Sequence, residues 1–152
     1  TLLERWIGAY LDTVRPRWLL GRFQTQEADV ERLERSLPER LAGMTWGLGG
    51  GAAAWRLIRH YRGEETILHV AAAPTDLAKR LRALPSQRGN LIVLVTAVPL
   101  VFEGIAPNLV HPLLVYSELL ASQDPRARSA AGEFRRQKLP ELASSQGSSS
   151  EA

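Results

Sequence analysis

Cysteine is absent from this 152-residue chain. That excludes disulfides, thiolate metal sites and cysteine nucleophiles, and it fits a reducing compartment. Lysine is almost missing too: Lys79 and Lys138 are the two lysines among 19 basic residues, so arginine carries the positive charge. No apolar run reaches the ~18 residues of a membrane span. No basic start with an apolar stretch and small-residue cleavage site marks a secretory signal, so a cytoplasmic location is expected. Gly-Lys-Ser/Thr, the phosphate-loop signature, does not occur, and neither does a Gly-x-Ser-x-Gly nucleophile elbow. His60, His69 and His111 have no metal-ligand spacing, and His69, inside an apolar stretch, reads as a structural histidine.

What is present fits one ordinary domain. Hydrophobic content is 45% and charged content 23%, close to globular usage. A chain of this length buries enough surface for a core without covalent staples. The net charge of +3 is unevenly spread. Between residues 44 and 110, Arg56, Arg59, Arg62, Lys79, Arg80, Arg82 and Arg88 face only Glu64, Glu65, Asp76 and Glu103. Such a patch attracts phosphates; the plainer reading is a solvated surface rich in arginine.

Leu2, Leu3, Trp6, Ile7, Tyr10, Leu11 and Val14 recur at helical spacing, and Pro16 is expected to stop that helix. Arg17–Gln24 suits a short strand. Val30, Leu33, Leu37 and Leu41 form one stripe of an amphipathic helix over Gln26–Ala42, which Pro38 should kink or divide and Gly43 should cap. Met44–Leu48 reads as a short strand, and Gly49-Gly50-Gly51 turns from it into a helix over Ala52–Tyr61. Thr66–Ala72 is a strand by β-branched content. Pro74-Thr75-Asp76 starts a helix over Leu77–Leu84. Asn90–Val98 is apolar nearly throughout, hence a strand buried on both faces, and Pro99–Asn108 is a loop. Two helices end the pattern, parted by Ser122-Gln123-Asp124-Pro125, where Asp124 suits an N-cap and Pro125 a first helical position. Trp6, Trp18, Trp46 and Trp55 read as core anchors. The alternation predicts an α/β fold, or alternatively α+β: a small mixed sheet with packed helices and a C-terminal helix pair. Residues 1–143 form its single domain, and 144–152, SSQGSSSEA, have the composition of a disordered tail.

The glycine turn admits three readings. Gly47-Leu48-Gly49-Gly50-Gly51-Ala52 matches G-x-G-x-x-A, but a dinucleotide site also requires an acid closing the next strand, and Glu64 and Glu65 precede that strand instead. A glycine turn, a helix and a strand bearing Asp-x-Asp is the layout of nucleotidyltransferases, whose paired carboxylates hold Mg²⁺. WGLGGGAAAWRLIRHYRGEETILHV resembles that layout, with Thr66 and Leu68 where the carboxylates belong. The segment therefore reads as a nucleotidyltransferase-like core without its metal site. In the third reading the glycines only let a helix pack closely on the sheet.

Three stretches together resemble one family. They are RPRWLLGRF (Arg15–Phe23), WGLGGGAAAWRLI (Trp46–Ile58) with the strand TILHVAA, and GNLIVL (Gly89–Leu94) followed by HPLLVYSELLASQDPRARSAAGEFRRQKL up to Leu139. This pattern is similar to that of the type IV toxin–antitoxin antitoxins of the abortive-infection AbiE type. The resemblance implies a non-catalytic antitoxin and transcriptional-regulator domain, with no catalytic residue, cofactor or metal. Its implied partners are a nucleotidyltransferase toxin, countered without a stable complex, and operator DNA, bound mainly through an N-terminal winged helix-turn-helix that this chain does not show. Arg56, Arg59, Arg62, Arg80, Arg82 and Arg88 are the candidate nucleic-acid contacts, the first three at a spacing close to one helix face. Gly49, Gly50, Gly51, Asp124, Pro125 and Arg126 are the structural motif. An active nucleotidyltransferase and a general scaffold or DNA-binding accessory domain are the alternatives.

Overall fold

A computed structural model describes residues 1–139; the expected tail over 144–152 and the domain limit at 143 lie outside them. The chain is a mixed α/β structure. A five-stranded sheet runs in the order β2-β3-β5-β1-β4, with β1 Leu19–Thr25, β2 Trp46–Leu48, β3 Thr66–Val70, β4 Ala83–Pro85 and β5 Leu91–Val95. β3 and β5 pair in parallel, and the other neighbours are antiparallel. The apolar strand is thus central, and Leu91, Ile92, Val93 and Leu94 are all buried. Side chains alternate across the sheet. Leu68, Val70, Leu91 and Val93 join the main core, with Leu33 and Leu37 from helix α3 (Val30–Arg40) and Leu41 just past its end. Ile67, Ile92 and Leu94 form a smaller cluster on the opposite face, against Trp18.

Several sequence expectations need correction. Pro16 does not stop the first helix. Helix α1 (Leu2–Ala9) passes into a π-helical turn, Tyr10–Val14, and then into the single turn α2 (Arg15–Trp18), with Pro16 in its first turn. There the missing N–H of proline costs little. Pro38 neither divides nor ends α3, which starts at Val30, the first residue of its apolar stripe, and not at the expected Gln26. Asp29 caps it, accepting from the N–H groups of Glu31 and Arg32 at 2.9 and 3.1 Å. The predicted helix over Leu77–Leu84 is only one turn, α5 (Leu77–Arg80), because Arg82 takes a left-handed φ of 50° and the chain extends into β4. Trp6 is no core anchor: it is 40% exposed and stacks on Tyr10 with ring centres 5.6 Å apart.

Helix α4 (Gly50–Ile58) begins inside the glycine run and ends before Tyr61. Helices α6 (Pro112–Ala121) and α7 (Pro125–Lys138) pack on it and on each other. α7 is capped by Asp124, which accepts from the Arg126 N–H at 2.9 Å, with Pro125 in the first turn. Its inner face is Ala127, Ala130, Ala131 and Phe134, mostly small residues that admit close approach.

The cap of α6 is a histidine. His111 Nδ1 accepts from the Leu113 N–H at 3.1 Å, so this nitrogen must be unprotonated. Burial holds the imidazole below its usual range, with Glu103 opposing weakly. The unfolded chain therefore takes up the proton first, near pH 6.5. Stability is fully present above that value and falls as pH drops through it towards the lowered folded value. His111→Asn keeps a capping acceptor and should flatten this slope in denaturant midpoints measured from pH 7.5 to 5.5.

Candidate functional site

On the face of the sheet bearing Ile67 and Ile92 lies a cavity of about 490 Å³. It gathers pieces of all three stretches that carry the family resemblance: Arg15 from α2, Gly50 and Gly51 at the start of α4, and Asp124 and Arg126 at the α6–α7 junction. Arg22 from β1 and Arg62, Glu64 and Glu65 from the loop before β3 complete its charged lining. Four arginines thus meet four carboxylates there, counting Glu118. The lining is balanced in charge, because most of these arginines are already paired. Arg22 Nη1 donates to Glu65 Oε1 at 2.8 Å, and Arg126 Nη2 to Asp124 Oδ2 at 2.8 Å. The Arg126 guanidinium and backbone N–H hold the Asp124 carboxyl below its ordinary range.

In the cavity wall lies a buried polar cluster centred on Glu118, from α6. Its Oε1 accepts from the Gly50 N–H at 3.2 Å. Its Oε2 stands 3.2 Å from His69 Nε2 and 3.9 Å from Arg15 Nε. His69 Nδ1 lies 3.1 Å from the Thr96 hydroxyl. The side chains of His69 and Glu118 are wholly buried. His69 is accordingly a structural histidine with both ring nitrogens engaged, as its strand position suggests. Among the described residues Arg15 Nε is buried near this cluster without a hydrogen-bonded partner, and the Tyr10 hydroxyl is buried beside Arg15. Burial, with the Glu118 charge, pushes the Tyr10 phenol above its usual range.

The three glycines of the turn each have a steric cause. A Cβ at Gly49 would overlap Glu118 Oε1, one at Gly51 would overlap the Arg62 carbonyl, and Gly50 has a left-handed φ of 50°. Across the turn, Thr66 and Leu68 occupy β3, both fully buried, and Thr66 Oγ1 accepts from Arg62 Nη2 at 3.0 Å. The strand has no acid. Among the described residues no group of three His, Asp or Glu side chains is placed to hold a metal ion.

Of the six candidate arginines, Arg56, Arg59 and Arg62 do not form the stripe their spacing suggests. α4 ends at Ile58, and Arg59 turns out of the helix with φ 55° while its guanidinium lies over the Trp55 ring. Arg62 is folded inward, 2.6 Å from Glu34 Oε1 of α3, with its side chain 12% exposed. Burial lowers the Arg62 guanidinium and raises the Glu34 carboxyl from their ordinary ranges, each opposed by the partner's charge. Arg56 stays exposed. Arg80 pairs with Asp76 at 3.0 Å. Arg82 and Arg88 are exposed beside β4, at the opposite sheet edge from the strand leading into α4.

Helix α7 also presents a basic outer face, at positions outside the six candidate contacts. Arg126, Arg128 and Arg136 are exposed there, and Glu133 pairs with Arg136. This face adjoins the end of α4: Arg126 lies over the Tyr61 ring. The signal was available in the contrast between small inward and basic outward residues of PRARSAAGEFRRQK.

No helix is long and apolar enough to cross a membrane among the described residues. No curated protein matches the chain, and no solved structure does. A family model described as the AbiEi antitoxin, a transcriptional regulator of type IV toxin–antitoxin systems, matches residues 1–139. The match spans the sheet, the glycine turn and the α6–α7 pair alike, and the chain belongs to this antitoxin family.

Proposed function

We propose that the chain is a non-catalytic antitoxin domain that counters a nucleotidyltransferase toxin in the bacterial cytoplasm, as part of an abortive-infection system. The observation that carries the non-catalytic reading is the acid-free strand β3 facing a glycine turn that the chain's own Glu118 fills. Two-metal or one-metal nucleotidyl transfer needs hard carboxylate ligands at that place, and buried Thr66 and Leu68 supply none. The core would then be a nucleotidyltransferase-like framework that has kept its packing and exchanged its chemistry for surface.

In the same reading the domain assists repression of its operon. Arg56 and Arg59 at the end of α4, with Arg128 and Arg136 on α7, offer exposed guanidinium groups to DNA phosphates, as Arg82 and Arg88 do at the other sheet edge. Phosphate contacts of this kind position a protein without reading sequence. Reading of the operator falls to another domain, and the toxin is countered without a lasting complex.

Growth rescue tests the proposal. The chain, and the chain lacking residues 112–138, are each co-expressed with the product of the neighbouring gene. The intact chain should restore growth that the neighbour arrests, and the shortened one should not. An intact, expressed chain that leaves the arrest untouched rejects the antitoxin role. Magnesium-dependent binding of a nucleoside triphosphate in calorimetry would favour the enzyme alternative.

A further inference from the structure

Helix α4 has no side-chain cap of its own. Its N-cap is Gly49, and the N–H of Gly50 is met by a carboxylate from 68 residues away. A helix N-terminus with exposed N–H groups favours a negative group through both hydrogen bonding and the helix dipole. Here Glu118 supplies that group from within. It is held on its other side by His69 Nε2 and approached by Arg15 Nε, whose N–H has no hydrogen-bonded partner among the described residues. The buried Tyr10 hydroxyl lies beside Arg15 in the same surroundings. Gly49 lacks a Cβ where one would overlap Glu118 Oε1, so the turn's shape is fitted to this carboxylate. The open cavity begins immediately beside it, with Gly50, Arg15 and Glu118 in its wall.

We propose that Glu118 is the chain's own occupant of an anion site at the start of α4, and that removing its carboxylate opens the site to inorganic phosphate. Arg15, the Gly50 N–H and His69 would then meet an oxyanion entering from the cavity. The inference goes beyond the antitoxin reading and stands or falls separately, because it concerns what the glycine turn holds and not what the domain opposes.

The test compares unfolding temperatures of the wild type, Glu118→Gln and Glu118→Ala in sodium phosphate and in sodium chloride of equal ionic strength. Phosphate stabilises most proteins by exclusion from their surface. The wild type and Glu118→Gln, which keeps the side-chain volume, measure that general effect. Beyond it, Glu118→Ala should gain about 3–5 °C once phosphate stands some tenfold above its dissociation constant, and the gain should saturate. A folded Glu118→Ala with no extra gain overturns the proposal. If Glu118→Ala is unfolded in chloride, its helical circular dichroism should return in phosphate; a chain unfolded in both also overturns it. In the wild type, a saturable phosphate-dependent shift of the Gly50 amide resonance would show the site already open, and the proposal would fail.

Discussion

Replacing Gly49 with alanine should lower the stability of the fold by about 3 kcal/mol, the upper range for overpacking a closed interior. The backbone is not the cause. Gly49 has φ −116° and ψ −162°, an extended conformation open to any residue. The whole cost arises because a Cβ would overlap Glu118 Oε1, and Glu118 cannot retreat without giving up the Gly50 N–H and His69. A second substitution isolates this contact. In Gly49→Ala with Glu118→Ala the overlap is gone, so the double variant should be about 2 kcal/mol more stable than the sum of the single losses predicts. Gly8→Ala is the control: nothing lies within 4 Å of a Cβ there, and alanine favours the helix interior by up to about 1 kcal/mol. Denaturant midpoints at constant slope read all four. Additivity in the double variant would mean that Gly49 is required for some reason other than the carboxylate.

This contact also marks where the sequence stops being informative. Periodicity is local, and it located most elements of regular length: the central strand, α3, and the α6–α7 pair with its Asp124-Pro125 junction. It could not find β4, whose three residues include one buried side chain, Ala83. Nor could it place Glu118 against Gly50, since nothing in LLVYSELLAS distinguishes a buried carboxylate from a solvated one. The three glycines were legible as a turn, yet their cause was not, because it lies in α6 and in the Arg62 carbonyl. The candidate site was readable in its pieces only. Arg15, the glycine turn and Asp124-Pro125-Arg126 stood out as separate stretches, and their meeting around one cavity depends on the parallel pairing of β3 with β5 and on α6 packing against α4. The arginine stripe failed for a related reason. The spacing of Arg56, Arg59 and Arg62 assumes a helix that continues past Ile58, whereas the left-handed turn at Arg59 ends it.

That early end decides how the arginines should be tested. Arg62→Ala should cost about 3 kcal/mol, because it strands the Glu34 carboxylate in a buried setting where its pKa is already raised by desolvation. Glu34→Ala should cost about as much by stranding Arg62. Arg56→Ala and Arg59→Ala, at exposed positions, should stay within about 0.5 kcal/mol of the wild type. Replacing all three arginines together would therefore weaken DNA binding through partial unfolding, whether or not any of them touches a phosphate. The pair Arg56→Ala, Arg59→Ala, extended by Arg128→Ala and Arg136→Ala on α7, keeps the interior intact. If these groups meet DNA, the slope of log binding constant against log salt should fall by roughly 0.9 for each phosphate that is no longer neutralised. Glu34→Leu combined with Arg62→Leu completes the argument. It removes both charges and leaves apolar volume in their place, so it should recover most of the stability that either single change to alanine removes. Normal DNA binding by that recovered double variant would assign Arg62 to the fold alone, while a reduced salt slope in it would return Arg62 to the interface.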